Sequence, residues 1–361
     1  MQQKQTSNKT TNKLVQLTES FHPNLISCAP LNAKGKYDTQ IEKYPSRKPY
    51  QQQNASLELI TPLVRALYSE DAQEICDDTN TFGERDKDSK KIADQFKKKY
   101  QDRFLFENKK FSEISKIGKN IKDIKGIIFD LGYSTIQIKD PEKGLSFNSK
   151  GKLNMKMGLN NFSADDIINK LGQKELAKIF KIFGEENSGS IISKKIISFR
   201  KNKNIQTENL VDIINSVKKK RFSKIHNATK VFQALRIIVN NEISELIYGL
   251  INAYNLIPVG GIIAVVTFHS IEDKIVKFFF KNYSEIKNSS RYSPVEENNF
   301  QCFNLQNKKP ITPSSEEIKI NPPSRSAKLR FAVKINNECN FEEFIKKFQN
   351  LIDIENLQFD K

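Results

Sequence analysis

Two apolar runs in the chain end on polar residues that could do chemistry. Gly126-Ile127-Ile128-Phe129 stops on Asp130, with Leu131, Gly132, Tyr133 and Ser134 directly after it. Ile262 to Val266 leads into Thr267-Phe268-His269-Ser270. A carboxylate and an imidazole at strand tips can accept protons or hold a ligand, because ligands of open parallel sheets bind beyond the carboxyl ends of the strands. The same residues could instead cap a turn or a helix. Asp130 suits a turn, and His269 suits the start of "SIEDKIVK", whose Glu272 and Asp273 already favour the positive end of a helix dipole.

Several chemistries are excluded by what stands nearby. No serine-centred nucleophile elbow accompanies His269, which removes the hydrolase triad. "FHSIEDK" has a single histidine, so the paired ligands of a zinc motif are missing and no metal site is expected. No phosphate-binding G-x-x-x-x-G-K-[ST] loop occurs. The four cysteines, Cys28, Cys76, Cys302 and Cys339, are scattered, which argues against a zinc site and against a disulfide framework and fits a reducing, cytoplasmic setting.

The elements that must position the two tips follow from periodicity. "DSKKIADQFKKKYQ" predicts a basic helix, Arg103 to Phe111 an alternating strand and "ISKIGKNIKDI" a further helix before the buried strand 126–130. "ATKVFQALRIIVNNEISELIYGLINAYNLI" predicts one long amphipathic helix ending before Pro258. "IIAVVTF" is a continuous β-branched run, as buried parallel strands are. "SAKLRFAVKI" predicts the last strand, after a polar loop over about 285–323. This alternation implies an α/β domain with a parallel sheet.

Residues 140 to 228 break the pattern. Ser163 as N-cap, with Asp165 and Asp166 behind it, opens "SADDIINKLGQKELAKIFKIFG". "SIISKKIISFRKNK" and "QTENLVDIINSVKKKRF" add helices, and no comparable strand is present, so this segment reads as a helical insertion. Residues 1–83 carry one helix candidate, "LELITPLVRALYSED", and no convincing apolar strand. The opening residues lack the apolar core of a secretory signal, and no run is long enough to span a bilayer. The formal charge of +17 suits a polyanionic partner such as RNA, although a general drift towards lysine would raise it equally well.

The motifs "IIFDLGYSTIQIKDPEKGLSF", "GKLNMKM", "FGEE", "HNATKVFQALRIIVNNEI", "GGIIAVVTFHSIEDKIVKFFF" and "NPPSRSAKLR" occur in the order and spacing of one family. The chain resembles the bacterial 16S ribosomal RNA (cytosine-N4) methyltransferases, which use S-adenosylmethionine, from about Glu84 to Lys334. The resemblance implies an α/β, Rossmann-like class I methyltransferase domain with an inserted helical subdomain and an irregular or diverged N-terminal part. It divides the chain into 1–83, a methyltransferase domain of 84–139 with 229–336, a substrate-recognition insertion of 140–228 and a tail of 337–361.

Carried over position by position, Asp130 and Gln137 would contact the cofactor, Phe111 would line its adenine and Glu84 would accept from its ribose hydroxyls. Asp130, Ser134 and His269 would surround the reacting nitrogen, with Tyr133 stacking on the base and Asn240 and Glu242 reading its edge. Arg236, Arg325, Lys328 and the lysines of 218–224 are candidates for phosphate contacts, with a solvated basic face as the alternative. The implied partner is small-subunit ribosomal RNA, with no membrane; oligomeric state stays open, a homodimer included.

The chain departs from the family pattern in places. Thr81-Phe82-Gly83 matches part of the first motif, yet no glycine-rich turn follows it. Asn154 and Lys156 replace an aspartate and an arginine, so fewer guanidinium forks are available for phosphate. A rival reading is therefore a catalytically impaired RNA-binding relative.

Overall fold

The computed structural model describes residues 25–28, 80–83, 94, 97–98, 104–118, 124–133, 137–138, 140–158, 160, 162–218, 226–285 and 301–357. The chain forms two compact units, one of residues 1–132 with 249–344 and the other of 133–248 with 345–361.

The first unit is built on a seven-stranded sheet. Its strands are β1 (Leu25–Cys28), β2 (Asn80–Gly83), β3 (Phe104–Glu107), β4 (Gly126–Asp130), β5 (Ile262–Thr267), β6 (Phe303–Asn304) and β7 (Lys328–Lys334). The order is β3-β2-β1-β4-β5-β7-β6. β1 to β5 are parallel, and β7 runs antiparallel to both of its neighbours. Every residue of β4 and β5 is buried, as a strand covered on both faces requires. Ile128, Ala264, Val266, Leu329 and Phe331 alternate along their strands and close one face into a single apolar cluster.

The N-terminal expectation needs correction here. Leu25–Cys28 and Asn80–Gly83 are strands, each of only four residues, the first interrupted by Ser27 and the second opening on Asn80-Thr81. Four-residue strands with polar members owe their register to backbone pairing: Ile26 opposes Ile127 on one side and Thr81 on the other. Thr81-Phe82-Gly83 therefore forms the second strand rather than the first. The strand expected over 103–111 ends at Glu107, and Phe111 opens a 3-10 turn that leads into α1 (Ile114–Gly118). Asp94, Lys97 and Lys98 are helical, as expected. The helix candidate over 57–71 lies outside the described residues.

The second unit is helical throughout its described secondary structure. It comprises α2 (Ala164–Lys170), α3 (Gln173–Phe183), α4 (Gly189–Arg200), α5 (Thr207–Val217) and α6 (Thr229–Asn240). Ser163 caps α2 as expected: its Oγ accepts from Asp166 N at 3.2 Å while Asp166 Oδ2 accepts from Ser163 N at 2.9 Å. Ile179, Phe180, Ile192, Ile196, Leu210, Ile214, Val231 and Leu235 bring the buried stripes of α3 to α6 into its core.

The long helix expected over 228–257 is two helices. Asn241 adopts left-handed φ 50° and ψ 40°, a conformation asparagine tolerates, and α7 (Glu242–Leu256) begins after it. α8 (Ser270–Asn282), α9 (Ser315–Ile320) and α10 (Glu342–Glu355) complete the chain, α9 falling in the segment read as loop and α10 in the segment read as tail.

The cysteine reading is also corrected. Cys302 and Cys339 form a disulfide, with Cα atoms 6.1 Å apart. They are separated by 37 residues, and the pairing of β6 with β7 brings them together. No spacing rule could anticipate a contact made by the sheet.

Candidate active site

In the first unit, strand order reverses between β1 and β4, which is the switch point where open parallel sheets bind ligands. Phe129 pairs with Cys28 across that boundary, and Asp130 follows at the tip. The Asp130 residue is only 5% exposed. Its other strand neighbour is Val266, whose carbonyl accepts from Leu131 N at 3.1 Å. The two tips recognised in the sequence are thus adjacent in the sheet.

Gly132 joins them. Its φ of +102° is one that side chains rarely adopt, and a Cβ there would meet the Phe268 ring at 3.4 Å. The chain can therefore turn tightly past Asp130 and lie against the tip of β5.

His269 is the N-cap of α8. Its Nδ1 accepts from Glu272 N at 3.4 Å, and Glu272 Oε2 accepts from Phe268 N at 2.8 Å and His269 N at 3.2 Å. Nε2 stands 3.1 Å from Glu272 Oε1 without hydrogen-bonding alignment. Of the two readings open for this histidine, the capping one is realised in its contacts.

Phe111 is half-buried and packs edge-on against Phe129 at 5.7 Å. α7 comes close to both rings through Gly249, where a Cβ would meet Phe111 Cβ at 3.2 Å and Phe129 Cε1 at 3.3 Å. At the start of β7, where Lys328 pairs with Thr267 at the tip of β5, Lys328 Nζ donates to Asp273 Oδ2 at 3.0 Å and Arg330 Nε to Asp273 Oδ1 at 2.8 Å. Burial raises the Asp273 carboxyl, but these donors outweigh it and hold the group below the usual carboxylate range. Lys328, expected at a phosphate, therefore has a carboxylate partner within the fold. Arg325 is exposed and donates to the Pro322 carbonyl at 3.4 Å.

In the second unit, Tyr133 is 41% exposed with the Arg236 guanidinium 4.9 Å from its ring centroid. Arg236 Nε and Nη2 donate to the two carboxylate oxygens of Glu242 at 2.8 and 2.9 Å. Asn240 is fully buried. Its Nδ2 donates to the Met155 and Arg236 carbonyls, and its Oδ1 accepts from Met157 N and Asn160 Nδ2. This side chain fastens the 155–160 segment to the end of α6, which leaves it no edge to offer a base. Gln137 is buried and helical. Of the basic stretch 218–224 only Lys218 is described, and it donates to Glu186 at 2.7 Å and to the Asn227 carbonyl at 3.0 Å. Glu84 and Ser134 lie outside the described residues.

The residues at the switch point fit S-adenosylmethionine by the chemistry of their groups. A buried carboxylate at the tip of β4 suits a cationic or hydroxyl-bearing ligand. A half-buried aromatic ring beyond β3 suits a purine.

Comparison with known proteins agrees with this architecture. A model of the MraW methylase family matches residues 73–335. The ribosomal RNA small subunit methyltransferase H of Sulfurihydrogenibium sp. (strain YO3AOP1) is 42% identical over 251 residues, covering 68% of this chain and 80% of that protein. The protein of the same name from Rickettsia bellii (strain OSU 85-389) is 40% identical over 274 residues, 74% of this chain and 89% of the relative. That from Rhodopseudomonas palustris (strain BisA53) is 38% identical over 224 residues, 61% and 68% respectively.

Proposed function

The chain belongs to the MraW methylase family, and from that premise we propose that it methylates the exocyclic N4 of a cytidine in small-subunit (16S) ribosomal RNA. The observation that carries this reading is Asp130, a buried acid at the switch point of a sheet ordered β3-β2-β1-β4-β5-β7-β6. The same premise favours an active enzyme over a catalytically impaired RNA-binding relative.

S-adenosylmethionine, when bound, supplies an electrophilic methyl group on a sulfonium. The chain's residues must do the rest. The cytosine amine is a weak nucleophile because its lone pair is delocalised into the ring, so it must be held in line with the methyl carbon. It becomes cationic on transfer and has to lose a proton. Asp130 and Ser134 are assigned to that nitrogen, Asp130 as the proton acceptor, with His269 at the neighbouring strand tip. Phe111, Gln137 and Glu84 are assigned to the cofactor. Tyr133 stacks on the base, which must leave its helix to be reached. Arg325 is the residue assigned to phosphate. The reading places the reaction in the cytoplasm. No helix among the described residues is long and apolar enough to cross a membrane.

The test is transfer of labelled methyl from S-adenosylmethionine to small-subunit ribosomal RNA, with mass spectrometry of the digested nucleosides. N4-methylcytidine is the expected product. Absence of transfer, together with no heat on titrating millimolar cofactor into the protein, would overturn the reading.

A further inference from the structure

We propose that Arg236 and Glu242 are positioning residues that hold the Tyr133 ring as a platform for an unpaired RNA base, and that Arg236 does not contact phosphate. This deepens the function proposed above and rests on it. The guanidinium meets Glu242 through two parallel hydrogen bonds of 2.8 and 2.9 Å, and both side chains are 11% exposed. A bidentate pair fixes the plane of the guanidinium as well as its place. The fixed cation lies 4.9 Å from the Tyr133 centroid, within the range of a cation–π contact.

The backbone is anchored at the same point. Asn240 Nδ2 donates to the Arg236 carbonyl at 2.8 Å and to the Met155 carbonyl at 2.9 Å. Tyr133, three residues beyond Asp130, thus has a large ring, a rigid cation on one face and 41% of its surface exposed. An exposed aromatic on a rigid support is what a single-stranded base needs, and stacking tolerates any base because each has a π-face. The platform therefore selects for a base that is out of its helix, and base identity has to be read elsewhere.

Lysine cannot replace arginine here, since it lacks the planar fork and stacks poorly. The experiment compares Arg236→Lys, Tyr133→Ala, Tyr133→Phe and the double variant Arg236→Lys/Tyr133→Ala in methyl transfer to small-subunit RNA. Glu242→Gln is added in case Arg236→Lys folds poorly. Tyr133→Ala should raise KM for RNA about tenfold or more, and Tyr133→Phe should recover most of that loss. Arg236→Lys should raise KM in the same direction with a smaller change in kcat. The double variant should be no worse than Tyr133→Ala, and in an added Arg236→Gln variant, which removes the charge, the salt dependence of RNA binding should keep its slope.

Additive losses, or a salt slope reduced by ~0.7–0.9 in Arg236→Gln, would mean a direct phosphate contact and would overturn the proposal. Should the wild-type protein transfer no methyl at all, the functional reading fails and a second measurement decides the platform. That measurement is nitration of Tyr133 by tetranitromethane, read by peptide mass spectrometry with and without cytidine-rich single-stranded RNA. Protection in the wild type that is weakened by Arg236→Lys supports the platform. Equal nitration with and without RNA overturns it.

Discussion

Asp130 stands opposite Val266 in the parallel register of β4 and β5, one residue beyond the Phe129–Cys28 pair that marks the switch point. Its carboxylate is the only part of β4 that can exchange a proton. Asp130→Asn keeps the shape of the side chain and removes that capacity. The expected result is a fall of ~10²–10⁴ in single-turnover methyl transfer, with a circular-dichroism melt close to that of the wild type. A variant retaining a tenth or more of the rate would remove Asp130 from the proton-accepting role.

Asp273 ties α8 to β7 through Lys328 and Arg330. Burial raises its carboxyl, yet the two cations win and its native pKa lies below the ordinary value of 3.8. A depressed carboxylate pKa contributes stability that is present above the unfolded value and lost as pH falls through the folded one. Asp273→Asn leaves the nearly buried Arg330 without its carboxylate and should cost about 1–3 kcal/mol at pH 7. Urea denaturation from pH 7 to pH 3 should show the wild-type advantage shrinking only below about pH 4. An advantage unchanged down to pH 3 would mean that the pair contributes through packing and not through charge.

How much of this was legible in the sequence varies by element, for physical reasons. β4 and β5 announce themselves because a strand covered on both faces must be apolar at every position. β1 and β2 do not, because both are only four residues long and Asn80–Gly83 is half polar, and they are strands by pairing with neighbours. The break at Asn241 is hidden because apolar spacing continues through it, and one left-handed residue leaves no periodic trace. Asp130 and His269 were visible at strand tips. The partners that decide what nearby residues do were not: Asn240 looked free to read a base until the 155–160 segment was seen bound to it, and Arg236 looked like a phosphate ligand until Glu242 and Tyr133 were placed beside it. The Asn240 contacts and the Arg236–Tyr133 contact join segments far apart in the chain, and the Arg236–Glu242 pair forms across the left-handed break at Asn241, which the sequence hides.

The Cys302–Cys339 bridge closes a loop of 37 residues that includes all of β7. Cross-linking a loop of that size restricts the unfolded chain, a stabilisation of about 2–4 kcal/mol. Cys339→Ser should lower the unfolding free energy by that amount under oxidising conditions and by far less with reductant present. Peptide mapping without reductant should recover the linked pair from purified protein. Equal stability of the variant and the wild type in both conditions would show that the bridge does not constrain the fold.

Glu355, at the end of α10, accepts from Ile243 N and Ser244 N at 2.8 Å each, the orphan donors at the start of α7. Burial pushes its carboxyl from 4.5 up to about 8, against the pull of those two donors. The native state then holds a proton that the unfolded chain has released over that window, so stability falls as pH rises through it and levels off above the folded value. Glu355→Gln mimics the protonated acid and cannot ionise. The two proteins should be closest in stability near pH 5. The wild type should then lose ground to the variant by at most about 1.4 kcal/mol per pH unit, with the loss ending near pH 8, as measured by urea denaturation across the range. A gap that stays constant or reverses would show that the α7 amides hold Glu355 as a carboxylate, with the helix terminus outweighing burial.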